Sequence, residues 1–178
     1  MLAWNFFPFL ASLASAGIGK RAVQTDVSIY AYGVGINGFL VYADSSSAAV
    51  IADNATALAN NLQNITWTID PKGLLPWNVT STNSSSTGQF YIVPTSTEHQ
   101  AAGFNTTAPP TGAETVGFVI YGSTVEYATE TTYESRFYAQ NSSTGVWSLV
   151  WNSDSETLDN GVPVVLKTVA PPPRPNFD

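Results

Sequence analysis

Along most of the chain apolar and polar residues alternate with a period of two, the pattern of extended segments buried on one face. Val27, Ile29 and Ala31 fall on one side of the first such segment and Ser28, Tyr30 and Tyr32 on the other, before Gly33 and Gly35 mark a turn. Further runs at 39–42, 48–51, 65–69 and 90–93 are closed by turn-forming residues, among them the serine-rich 44–47, Asp70-Pro71-Lys72-Gly73 and Pro94. The C-terminal half repeats the pattern at 116–121, 124–127, 135–139, 146–151 and 163–169. Short strands at this spacing predict an all-β fold, an antiparallel β-sandwich or barrel of about eight to ten strands.

One segment has the helical period instead. Ala55, Leu58, Ala59 and Leu62 recur at i, i+3, i+4 and i+7 behind Asp53, which is placed to cap them. This predicts one short helix lying over an edge or end of the sheet. Residues 95–114 show no period and predict a long loop carrying His99, the chain's only histidine. From Pro171 onward the prolines predict a polyproline-like tail.

The first residues follow a different logic. Phe6, Phe7, Phe9, Leu10 and Leu13 form an apolar stretch ahead of Ala14-Ser15-Ala16, the small-x-small pattern that a signal peptidase accepts. Lys20 and Arg21 then form a dibasic pair of the kind a secretory-pathway protease cuts. The expected organisation is a signal peptide over 1–16, a short pro-segment over 17–21, a single β domain over 22–169 and a Pro-rich tail over 170–178. Six N-glycosylation sequons begin at Asn54, Asn64, Asn78, Asn83, Asn105 and Asn141. A glycan needs exposed backbone, so each occupied asparagine marks a loop, turn or outward strand position. No later segment is long and apolar enough to span a bilayer, and the C-terminus lacks the hydrophobic tail of a lipid-anchor signal, so no membrane anchor is expected.

Composition narrows the functions. With no cysteine among 178 residues, disulfides and thiolate metal sites are closed. Thirteen acids face six bases, and past the dibasic pair only Lys72, Arg136, Lys167 and Arg174 remain. A nucleic acid or anionic membrane needs clustered positive charge, so neither is an expected partner. No local spacing of His, Asp and Glu suits a metal, and no cofactor is expected.

Catalysis finds little support. There is no Gly-x-Ser-x-Gly elbow, and His99 stands alone. Glu126, Glu130 and Glu134 cluster along the chain, and glycoside hydrolysis needs two carboxylates across one bond; three acids near a hairpin are, however, usually a solvated outer face. Trp147, Leu149 and Trp151 share one face of a strand. Facing solvent, the two indoles stack on sugars as a polysaccharide-binding platform; facing inward, they are core, as large aromatics in small β domains commonly are.

Several stretches resemble, as a set, small secreted cysteine-free β-proteins of filamentous ascomycete fungi. They are Ser28-Ile29-Tyr30-Ala31-Tyr32-Gly33, Phe90-Tyr91-Ile92-Val93, Val116-Gly117-Phe118, residues 145–152 and residues 162–167. The order of a Trp-rich strand, a polar loop, a final Val-rich strand and prolines is similar to the phialide-associated fungal cell wall protein family. That family carries cysteines in its C-terminal half, where this chain has none. Val125-Glu126-Tyr127 resembles a fragment of the nucleophile strand of small secreted fungal xylanases. The first two resemblances imply a secreted, extracellular or cell-wall-associated role without a catalytic residue, with cell-wall polysaccharide or other wall components as the expected partner. The alternatives are a carbohydrate-binding module and a small jelly-roll glycoside hydrolase.

Overall fold

A computed structural model describes residues 22–82, 87–94, 98–105, 107–143, 145–155 and 157–173. The leader, Lys20, Arg21 and Asn83 lie outside the described residues. Alternation in the sequence becomes alternation in burial: Ile65, Trp67 and Ile69 are buried while Thr66 and Thr68 between them are not. In chain order the elements are β1 (Gln24–Val27), β2 (Tyr30–Gly33), β3 (Ile36–Ala43), β4 (Ala49–Ala52), α1 (Asn54–Ala59), β5 (Ile65–Ile69), β6 (Asn78–Ser81), β7 (Thr87–Tyr91), β8 (His99–Ala101), β9 (Gly103–Asn105), β10 (Phe118–Tyr121), β11 (Thr124–Ala128), β12 (Tyr133–Glu134), β13 (Phe137–Ser143), β14 (Val146–Asn152) and β15 (Gly161–Lys167).

Six of these strands close into an antiparallel barrel. Its order is β15–β13–β14–β4–β3–β2, and pairing of β2 with β15, from Gly33↔Val164 to Tyr30↔Lys167, completes the ring. Closure removes the exposed edges that an open sheet would offer to other chains. A second, five-stranded sheet runs β1–β5–β6–β7–β9. Sandwich and barrel were alternatives in the sequence; the protein is all-β with a barrel and a second sheet sharing one core.

That core is the larger of two buried clusters. Val41, Ile51, Leu149, Trp151 and Val164 from the barrel join Trp67, Val79, Phe90 and Phe104 from the second sheet. Ring contacts at 4.8–5.8 Å run from Phe104 through Trp67, Phe90, Phe118, Tyr127 and Trp151 to Phe137. The alternate positions Tyr42, Val50, Ala52 and Val146 form a smaller cluster on the outer face of the barrel, beneath α1.

Three local expectations are revised. The run at 27–32 breaks, because Val27 pairs with Trp67 in the second sheet while Tyr30 pairs with Leu40 in the barrel. The stretch 95–114 is not one loop. Where β4 and β14 part, after Ser148↔Val50, residues 99–103 wedge between them: β8 pairs with β14, and Ala102 bonds to Leu149 on one side and Ala49 on the other. Helix α1 starts where expected, with the Asp53 carboxylate accepting from the Thr56 amide (2.9 Å) and hydroxyl (3.0 Å). Its inward residue, however, is Ala57, and Leu58 is 82% exposed. Over so short a helix the cap and the chain's re-entry at Leu62 fix the rotation, and the apolar period does not.

Candidate functional site

The structure disperses the residues singled out from sequence. Trp151 is 1% exposed inside the barrel, with its ring edge-on to Phe137 and Tyr127. Trp147 is half-buried and packed against the same core. The Trp147/Trp151 face is therefore the inner face, and the two indoles do not make an open sugar-stacking platform. Leu149, fully buried between them, is the reason: a two-residue period must send all three side chains the same way.

The acidic cluster also separates. Glu134 is paired directly opposite Tyr127, so it shares that residue's face of the β11–β12 ribbon, whereas its neighbour Glu126 projects from the other. Glu134 forms an ion pair with Arg136 at 3.1 Å, and Arg136 also bonds to the Ser153 carbonyl. Burial, followed by the charges of Glu114 and Glu134, raises the Tyr127 hydroxyl above its ordinary pKa. Glu130 is exposed in the turn. Glu126 and Glu134 thus cannot flank a single bond. His99 lies on β8, opposite Asn152, and not in a free loop. Among the described residues no three of His, Asp and Glu converge as a metal site requires.

Four sequon asparagines, Asn54, Asn64, Asn78 and Asn141, are exposed. Asn54 begins α1 and accepts a hydrogen bond from the Tyr42 hydroxyl through Oδ1 (2.9 Å), a bond that does not engage its amide nitrogen. Asn105 differs. It is half-buried on β9, and its Nδ2 is enclosed with no hydrogen-bond partner.

A groove of about 510 Å³ lies where the wedge meets the second sheet. Tyr91, Val93, Gln100 and Ala101 line one side, and Pro110, Thr111 and Gly112 the other. Reciprocal bonds between Ile92 and Glu114 fasten the second wall. Tyr91 lies close over Gly103, where a Cβ would stand 2.7 Å from the Tyr91 hydroxyl. Burial raises the pKa of that hydroxyl, so at neutral pH it is a neutral donor and acceptor. The lining thus offers a phenol, a primary amide and a hydroxyl without a charge, which suits a neutral, hydroxyl-rich ligand better than an ion. Sequence reasoning missed this groove because 95–114 lacks a period. The signal present was Ala101-Ala102-Gly103, a run of small residues of the kind that close backbone approach demands.

Compared with protein-family models, with curated proteins and with solved structures, the chain finds no match in any of the three.

Proposed function

We propose that the chain is a secreted, N-glycosylated, non-enzymatic domain that works at the fungal cell surface or wall. The observation that supports this reading best is the placement of the sequons: Asn54, Asn64, Asn78 and Asn141 all lie exposed on a domain whose core is closed without a disulfide. Glycans at these four positions burden no packed face. A closed barrel that needs no disulfide is suited to an extracellular medium of varying redox state.

The test is expression with the native leader in a fungal secretion host, followed by N-terminal sequencing and glycopeptide mass spectrometry. The expected product is found in the medium, starts at Ala22 and carries glycan at Asn54, Asn64, Asn78 and Asn141. Asn105 remains bare, since its enclosed amide leaves no room for a first sugar. Protein retained in the cytosol with its leader intact, or secreted with all four asparagines unmodified, would refute the reading.

A second reading, carbohydrate binding, moves from the tryptophans to the Tyr91 groove, whose uncharged polar lining favours it. Purified protein is expected to be retained on at least one of insoluble chitin, β-glucan or cellulose, and Tyr91→Ala and Gln100→Ala to lose that retention. Binding to none of the three polymers ends this reading and leaves the first standing.

A further inference from the structure

Five of the ten large apolar side chains exposed among the described residues gather on one face. Strands β10, β11 and β12 form a ribbon outside the barrel ring, joined to it where Thr124 pairs with Lys167 of β15. Phe118 and Ile120 of β10 turn into the core, so Val119 and Tyr121 turn out. Residues opposed across a ladder share a face, which puts Glu126, Ala128 and Tyr133 on the same outer side.

The other edge of β10 is lined by the turn that follows β5. Lys72 is bridged to Val119, and the Gly73 carbonyl accepts the Gly117 amide at 2.9 Å, so Leu74 and Leu75 follow beside Val116. The turn is held from below: the buried Asp70 carboxylate accepts the Leu74 and Leu75 amides at 2.9 and 3.0 Å. Leu74 is 74% exposed, Tyr121 71% and Tyr133 64%. An apolar cluster gathered on a fixed support marks an interaction surface.

The charges on this face point to its occupant. Lys72, Val119 and Glu126 stand in one row across neighbouring segments ~4.8 Å apart, so two opposite charges flank Val119 evenly. Among the described residues the ion pair is Glu134 with Arg136, and neither Lys72 nor Glu126 takes part in one. We infer that the face binds a second copy of this chain about a two-fold axis running along β10. The interface is then isologous: Lys72 meets Glu126 of the second copy, and Glu126 meets its Lys72. Val119 lies on Val119 and Tyr121 on Tyr121, while Leu74 comes down on Ala128, whose small side chain leaves room for it. A neutral polymer would cover both charges without a counter-charge, which is costly. The face is about four segments wide and five residues long, ~19 by ~17 Å, which places the dimer at the small, reversible end of specific interfaces.

Sedimentation velocity on the mature protein reads this directly. The expected result is a shift from monomer to dimer between ~10 µM and ~1 mM, the range of a small interface. Asn78 stands three residues past Leu75, so the series is repeated after enzymatic deglycosylation, with the same shift expected. Leu74→Asp, at an exposed position, should weaken the dimer at least about tenfold with the melting point unchanged. Lys72→Glu and Glu126→Lys should each weaken it as well, because each alone sets like charges against one another. Mixed in equal amounts, these two variants should pair as strongly as the unaltered chain, since every charge then meets its opposite. A loss of folding would not be repaired by mixing. A monomer throughout, with and without glycan, overturns the inference. So does a dimer untouched by Leu74→Asp, or charge variants that fail to pair when mixed. Retention on chitin, β-glucan or cellulose that Tyr121→Ala abolishes would assign the face to a polysaccharide and overturn it too.

Discussion

Replacing Trp151 by alanine tests whether the face that carries Trp147, Leu149 and Trp151 is the inside of the barrel. The indole is 1% exposed, and two rings meet it edge-on, Phe137 at 4.9 Å and Tyr127 at 5.6 Å. A buried aromatic of this size removes ~200 Å² from water. Most of that area is lost on truncation, which at ~25 cal/mol per Å² costs about 3–4 kcal/mol. Each edge-to-face contact adds ~0.5–1.5 kcal/mol. A strand ring hydrogen-bonded on every side cannot collapse freely into the hole, so the cost falls at the upper end of the ~3–5 kcal/mol typical of such truncations. Against a total stability of ~5–15 kcal/mol this is a large fraction, and it predicts a melting point lower by roughly 10–15 °C. Trp151→Phe, which keeps one ring edge on each neighbour, should lose less than half as much. Trp147→Ala should also lose less, because that indole is only half-buried. Urea unfolding followed by far-UV circular dichroism measures all three without relying on the fluorophore being altered. The reasoning is refuted if Trp151→Ala costs under ~1 kcal/mol, and most clearly if it abolishes polysaccharide retention at unchanged stability.

Other perturbations probe the supports around that core. Asp70 is buried and its carboxylate accepts the amides of Lys72, Leu74 and Leu75 at 2.9–3.2 Å, while its carbonyl takes the Trp77 indole N–H. Asp70→Ala should therefore cost ~2–4 kcal/mol in a urea titration, and Asp70→Asn less. Asp53→Ala removes the α1 cap and should cost ~1 kcal/mol. The Asp53 pKa is lowered in the fold, first by the Thr56 amide bond. Its contribution is thus full above the unfolded value of about 3.9 and is lost as pH falls through the lower folded value. Asp53→Asn should lack that step in an acid titration monitored by circular dichroism. Leu58→Lys should change stability by less than ~0.5 kcal/mol, whereas Ala57→Asp, which puts a charge against Tyr42 and Val50, should cost several-fold more in the same melt.

How much of this could be read from the sequence depended on whether a segment answered to its own period or to its neighbours. Strands β5, β10 and β15 bury alternate residues of a contiguous run, so their patterns stand out. Strand β6 does not: of Asn78-Val79-Thr80-Ser81 only Val79 is an apolar side chain turned to the core, too little to register as a period. Barrel closure left no local trace either, because β2 meets β15 across more than a hundred residues, and pairing at that distance is set by the whole chain. For the tryptophans the deciding signal was present: Leu149 had to share their face, and an aliphatic side chain between two indoles weighs toward core. The Tyr91 groove was hidden for a different reason. Residues 99–103 fill the gap where β4 and β14 part, so each takes its exposure from the strand beside it, and Ala102 is buried by Ala49 and Leu149. A segment that mends a splayed sheet inherits its neighbours' register and shows no period of its own. In this chain Gln100 and Ala101 also line the groove, so part of its wall comes from the segment whose sequence is least patterned.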